Sequence, residues 1–208
     1  MTALTKLEVA RRQLGTALWL FLEDLDPVSV HTLTGAAAEL AEELARDYGG
    51  SPFLDHIMQT NLGMTRQEYH ELARVYYNAF KHLTKRNGAK RDDEALLAGF
   101  SDEKNDAMLC VGWTDLLEAS PACPIEAQVF LVWFYACHPE KMARAEDVAR
   151  FSSVFPGIKE LPRTERKAAL KEQIFAARKN PNVMAHPGTE RRPLVWAAPH
   201  GCVELSGA

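Results

Sequence analysis

The chain has 208 residues, with 24 Lys and Arg against 28 Asp and Glu for a net charge of −4, and 47% of its residues are hydrophobic. A chain of that size buries one substantial core, and its acid excess excludes a uniformly basic nucleic-acid coat, leaving room only for a local basic patch. The four cysteines, Cys110, Cys123, Cys137 and Cys202, show no CxxC pairing, which points to a reduced, cytoplasmic protein rather than a disulfide-stapled one.

Leu4, Leu7, Ala10, Leu14, Ala17, Leu18, Phe21 and Leu22 recur with helical spacing and predict a first helix over residues 4–24. This apolar stretch lacks the small-residue cleavage site of a secretory leader. Asp26-Pro27 supplies an N-cap followed by proline at the first helical position. The second helix therefore starts there and runs to Tyr48-Gly49-Gly50, where glycine stops it. Val30, Leu33, Ala37, Leu40 and Leu44 form its core face. On the other side His31, Gly35 and Ala38 make a small-residue stripe around one imidazole, which predicts a central helix packed on two sides.

Ser51-Pro52 opens a short helical piece ending near Asn61-Leu62-Gly63. Thr65 and Glu68 have the spacing of a capping box, in which each side chain satisfies an orphaned backbone N–H. The helix they start is expected to continue to Asn87-Gly88. At ~100° per residue, Tyr69, Leu72, Val75, Tyr76, Ala79, Phe80 and Leu83 share its core face. Glu94–Phe100 is too short to assign by period. Ser101 is read as the cap of the next helix, which runs to Ala119. The dense apolar run Val129–Ala136, far short of the ~20 residues that span a bilayer, reads as a buried core helix ending at His138-Pro139. Ala145–Phe155 reads as a further helix, Thr164 as the cap of another, and Asn180–Ala208 is too rich in proline and glycine for a long helix. Leu194-Val195-Trp196 is a candidate extended piece. The expected architecture is all-α: a helical bundle over residues 1–180 and an irregular C-terminal tail over 181–208.

The most informative stretch is Arg74–His82. On one continuous helix Arg74, Lys81 and Lys85 point away from the core, while Asn78 and His82, one turn apart, lie on the border where a second helix could reach them. A neutral imidazole can remove a proton, an ammonium can neutralise developing charge, and an amide can orient a substrate. His82 and His31 are therefore the candidate catalytic residues, and Asn78, Lys81, Arg74 and Lys85 the candidate ligand-binding ones. The same residues also describe a solvated helix face with a core histidine nearby. Lys81, Lys85, Arg86, Lys90 and Arg91 extend the basic face into the following loop. No metal is indicated, since HExxH and paired Glu-x-x-His patterns are absent. Nor is a cofactor, since neither GxxxxGK[ST] nor GxGxxG occurs. Cys110 and Cys137 sit in apolar surroundings that make thiols inert.

Asp26-Pro-Val-Ser-Val-His-Thr-Leu33, followed by an Ala-rich helix and by Asn78-Ala-Phe-Lys-His82, resembles a group of largely uncharacterised bacterial helical proteins. In their pattern the second segment reads close to Asn-Phe-Phe-Lys-His-Ala-Asp. This chain keeps Asn78, Phe80, Lys81 and His82 but has Ala79, with Leu83-Thr84 where Ala-Asp would stand. The resemblance covers about residues 4–137. Those proteins distantly resemble the HEPN superfamily of helical bundles, many of them metal-independent ribonucleases, whose Arg-polar-spacer-His motif is not reproduced here. The resemblance implies a helical fold, with ribonuclease activity as one form its function could take. The residues themselves point to a polar pocket where His31 on the second helix approaches Asn78 and His82 on the Thr65 helix, binding an anionic ligand such as a nucleotide or RNA phosphate. The alternative is a non-catalytic helical adaptor that homodimerises or docks a partner, with the histidines stabilising helix packing. Sequence alone does not decide whether the chain is an enzyme.

Overall fold

The first two helices start where the sequence caps them. The computed structural model describes residues 4–195 apart from Arg86 and Ala143. In it the Thr5 hydroxyl accepts the Glu8 N–H and starts α1 (Lys6–Leu22), and the Asp26 carboxylate accepts the N–H groups of Val28 and Ser29 and starts α2 (Pro27–Asp47). Gly49, at φ +81°, ends α2 as expected. Then follow α3 (Phe53–Thr60), α4 (Arg66–Ala73), α5 (Val75–Lys81), α6 (Glu94–Ala98), α7 (Lys104–Ala119) and α8 (Ile125–Cys137). The chain continues with α9 (Ala145–Val154), α10 (Arg163–Lys179) and α11 (Pro181–Ala185). Two-residue strands β1 (Cys123–Pro124) and β2 (Thr189–Glu190) pair in parallel. The protein is all-α.

α2 is the central element, packed against α1 on one side and α7 on the other, with α5 lying across it. α1 buries Ala10, Leu14, Ala17, Leu18 and Phe21 in the hydrophobic core. Phe21, Phe130 and Trp133 pack edge to face or tilted at 5.6–6.1 Å, and the Trp133 indole N–H donates to the Arg166 carbonyl at 2.9 Å, joining α8 to α10. Arg163, at the start of α10, reaches back to Asp102 and Asp106 at the start of α7 through paired N–H···O bonds of 2.6–2.8 Å.

The segment from Thr65 departs from the sequence expectation. Its capping box is present. The helix is not continuous, however: Arg74, at φ −106° and ψ 12°, leaves helical geometry and separates α4 from α5. The break resets the helical phase. Tyr77 becomes the buried residue of α5 and its ring lies over Gly35, where a Cβ would come within 2.5 Å of Cδ2. Leu72 and Leu83, expected in the core, are 66% and 75% exposed. The helix also stops early, at Lys81. Asn87-Gly88 is the turn of a small hairpin in which Thr84 faces Lys90, Lys85 N–H donates to Ala89 O and Arg91 N–H to Leu83 O, with Gly88 at φ +81°.

Smaller differences sit at helix starts. α7 begins at Lys104 without a side-chain cap, and Ser101 only contributes its carbonyl to the Lys104 N–H. Pro162 occupies the capping position of α10, leaving Thr164 inside the helix. Glu94–Ala98 resolves as helix. Residues 181–195 cross α1 and α8: Gln128 donates to Gly188 O and to the Thr189 hydroxyl, and the buried Arg11 donates to Leu194 O at 2.6 Å, Pro193 O at 2.9 Å and Glu190 at 3.0 Å. Gly15 makes this possible, because a Cβ there would run into the Leu194 carbonyl. Leu194 and Val195 lie in a bend, the paired strand residues being 189 and 190; Trp196 and Cys202 lie outside the described residues.

Trp133 is fully buried, and its indole N–H is satisfied by the Arg166 carbonyl. Trp133→Ala is expected to lower the unfolding free energy by about 3–5 kcal/mol in a urea titration. A change within about ±0.5 kcal/mol would contradict its place in the core.

Candidate functional site

α2 and α7 run parallel, their starts joined at His31 and Asn105 and their ends near Ser51 and Glu118. Each turns a helical stripe toward the same groove: His31, Gly35, Ala38 and Glu42 from α2, and Lys104, Ala107, Met108, Val111 and Asp115 from α7. Each stripe extends over about 16 Å at the helical rise. Phe134 and Tyr135 of α8 form one wall. Phe53, Leu54 and Ile57 of α3, with Tyr69 and His70 of α4, form a cover. The groove's volume is about 680 Å³, within the range of small-molecule sites, roughly 300–1,000 Å³. Most of its lining is apolar.

At the α2 start, His31 is 3% exposed. Its Nδ1 lies 2.9 Å from the Asn105 amide oxygen, and the Asn105 amide nitrogen donates to the Pro27 carbonyl at 3.1 Å, which fixes the amide's orientation. An amide oxygen only accepts, so Nδ1 carries the hydrogen and Nε2 is an acceptor. Nε2 is buried without a partner among the described residues. The rings of Tyr76, Phe80 and Phe100 stand edge-on around the imidazole at 5.4–6.0 Å. Burial pulls the His31 pKa below its ordinary 6.5, opposed by the bond to Asn105, so the ring is neutral at pH 7.

At the other end the groove is acidic. Asp115 is 1% exposed and accepts the Phe53 N–H at 2.6 Å. Burial, reinforced by Glu42 and Glu118, raises its carboxyl to about 7 against the pull of that N–H and of Arg46. Glu42 is paired with Arg46 at 2.8 Å and Arg74 at 3.3 Å, with His70 at 3.6 Å. Burial, with the Asp115 and Glu42 charges adding to it, pushes the Tyr69 phenol up to about 12. The Cys110 thiol rises to about 12, also mainly by burial, so neither group is poised as a nucleophile.

Of the residues singled out from sequence, His31 and Arg74 line this groove, while Asn78, Lys81, His82 and Lys85 lie outside its lining. Arg74 is paired with Glu39 at 3.2 Å as well as Glu42. Lys81 Nζ sits 5.0 Å over the Tyr77 ring centre and 3.3 Å from its hydroxyl. His82 is exposed in extended backbone, and no hydrogen bond or ring contact joins it to His31. Asn78 contributes backbone bonds on both sides, and Lys85 stands exposed on the hairpin. Asp115 was not singled out from sequence, although a signal existed: a carboxylate four residues beyond Val111 and seven beyond Met108 lies within an apolar stripe. Comparison of the chain with protein-family models, with curated proteins and with solved structures gives no match.

A carboxyl whose folded pKa is raised binds its proton more tightly in the native state than in the unfolded chain. Its stabilising effect is therefore complete below its ordinary 3.8 and is lost as the pH rises to about 7. Asp115→Asn removes that loss. The variant is expected to gain about 1–3 kcal/mol over wild type at pH 8, below the ~4 kcal/mol ceiling set by ~1.36 kcal/mol per pH unit across the interval. The difference should grow between pH 4 and 7 and level off above 8 in paired thermal or urea melts. A pH-independent difference would contradict the raised carboxyl.

Proposed function

We propose that the protein binds a small organic molecule in the groove between α2 and α7. The observation that carries this reading is an apolar space of about 680 Å³ lined in part by His31, whose Nε2 is buried and unpartnered among the described residues. Buried polar atoms are nearly always hydrogen-bonded, and leaving one unmade costs about 1–3 kcal/mol. A ligand donor supplied to Nε2 recovers that cost, and the apolar walls supply affinity by excluding water.

A neutral fluorescent probe, N-phenyl-1-naphthylamine, tests the site. It should bind with a blue-shifted, enhanced emission that saturates. Val111→Trp, which fills the middle of the groove from a half-buried position, should weaken binding at least tenfold with the melting temperature changed by no more than about 2 °C. Equal binding by the folded variant would move the probe, and the proposal, elsewhere.

Binding of RNA phosphate is a second reading, favoured by a different observation. Lys81, His82, Lys85 and Lys90 are exposed around the 82–91 hairpin, and none has an acidic partner among the described residues. This is where an anionic ligand of the HEPN-like kind would be met; His31, enclosed by rings, would not reach a polymer backbone. With labelled single-stranded RNA in metal-free buffer, wild type should bind with a negative salt slope. Lys85→Ala combined with Lys90→Ala should make that slope shallower by roughly 0.7 for each phosphate no longer neutralised, with the melt unchanged. Salt-independent binding, or none, would exclude this reading.

A further inference from the structure

The groove's two ends ask for different things of a ligand, and the acidic end is the more demanding. Five carboxylates gather there, Glu39, Glu42, Asp55, Asp115 and Glu118, against three guanidinium groups, those of Arg46, Arg66 and Arg74. The cations are already engaged. Arg74 holds Glu39 and Glu42, Arg46 holds Glu42 and reaches Asp55, and Arg66 holds Asp55. Glu118 accepts the Ser51 N–H at 3.3 Å. Asp115 is thus the carboxylate that lines the groove, is almost fully buried, and has no basic side chain within ion-pair distance among the described residues.

The walls beside it are aromatic. Phe53 and Tyr69 flank this end and Tyr76 stands further along, and ring faces attract organic cations through their quadrupole. His31 adds an independent requirement from the opposite end, about 15 Å away along α7 from Asn105 to Asp115: its bare Nε2 accepts but cannot donate. At its two ends the groove thus presents acceptors, His31 Nε2 and the Asp115 carboxylate.

We propose that the groove's ligand is an organic amine whose ammonium pairs with Asp115, whose apolar body lies along Val111, Ala38 and Met108, and whose far end can donate a hydrogen bond to His31. This rests on the groove being a ligand site. An ammonium brings three N–H donors and a charge that compensates a carboxylate which desolvation otherwise disfavours. The exposed Lys104 and Lys141 at the opposite side of the groove direct a cationic head away from that side and toward Asp115.

Competition against bound N-phenyl-1-naphthylamine separates the levels of the proposal. On wild type at pH 7.5, n-octylamine should displace the probe with an apparent Kd at least tenfold below that of 1-nonanol, a neutral molecule of similar length. Asp115→Asn should retain probe and alcohol binding within twofold and bring the amine to within twofold of the alcohol. Glu118→Gln, changing a neighbouring carboxylate outside the groove lining, should keep the preference. If the probe does not bind wild type, the groove reading fails and this inference with it. If it binds but amine and alcohol compete equally on wild type, or the preference survives in Asp115→Asn, the amine assignment alone is overturned. The wild-type ratio decides this even should the variant fail to fold.

Discussion

A single buried amide sets the geometry on which the rest depends. Asn105, fully enclosed, donates to the Pro27 carbonyl and accepts from His31, so it grips the first turn of α2 twice from the first turn of α7. A bidentate clasp of this kind admits one register between two parallel helices, because a slip by a turn would strand both polar groups in an apolar interior. With the register fixed, the small-residue stripe of α2 and the apolar stripe of α7 line the same groove. The same amide also selects which imidazole nitrogen is left bare. Groove geometry and groove chemistry thus have one origin.

The cover over that space is held by different forces. α4 buries no residue, and α3 buries only Leu54. The cover is tied down by the Asp115 and Glu118 carboxylates accepting backbone N–H groups at Phe53 and Ser51, and by ion pairs from Arg46, Arg66 and Arg74. Such pairs contribute little net stability once desolvation is counted. The core beneath is close-packed hydrocarbon and aromatic surface, with Leu14, Leu18, Trp113 and Trp133 wholly enclosed. Opening of α3 and α4 is therefore the low-energy excursion of this fold, while the α1–α2–α7–α8 core stays intact.

The starts of α2 and α4 were legible because they carry side-chain chemistry that acts within one turn. Asp26-Pro27 and Thr65 with Glu68 needed no tertiary partner to be read. The break at Arg74 was not legible. The apolar period runs through it without interruption, and the cause lies in α2, where Glu39 and Glu42 hold the guanidinium and Gly35 accepts the Tyr77 ring. Asn87-Gly88 fits a helix stop and a hairpin turn equally well by local chemistry. For the site, His31 stood out as an imidazole among small residues, whereas Asp115 becomes distinctive only when α3 removes it from water. The Asn78–His82 motif drew attention through its polar members, yet among its residues it is Phe80 that meets His31.

The clamp between Arg11 and the stretch from Glu190 to Leu194 joins positions up to 183 residues apart. A guanidinium 7% exposed has no water to fall back on, so α1 cannot settle permanently against α7 until the far end of this stretch arrives to receive its protons. Non-local closure of this kind slows folding and makes it a late event for a chain emerging from the ribosome. Until residue 194 is free, the nascent bundle keeps an unsatisfied cation at the seam of its first helix. That seam is where a chaperone, or a protease inspecting unfinished chains, would find the protein open.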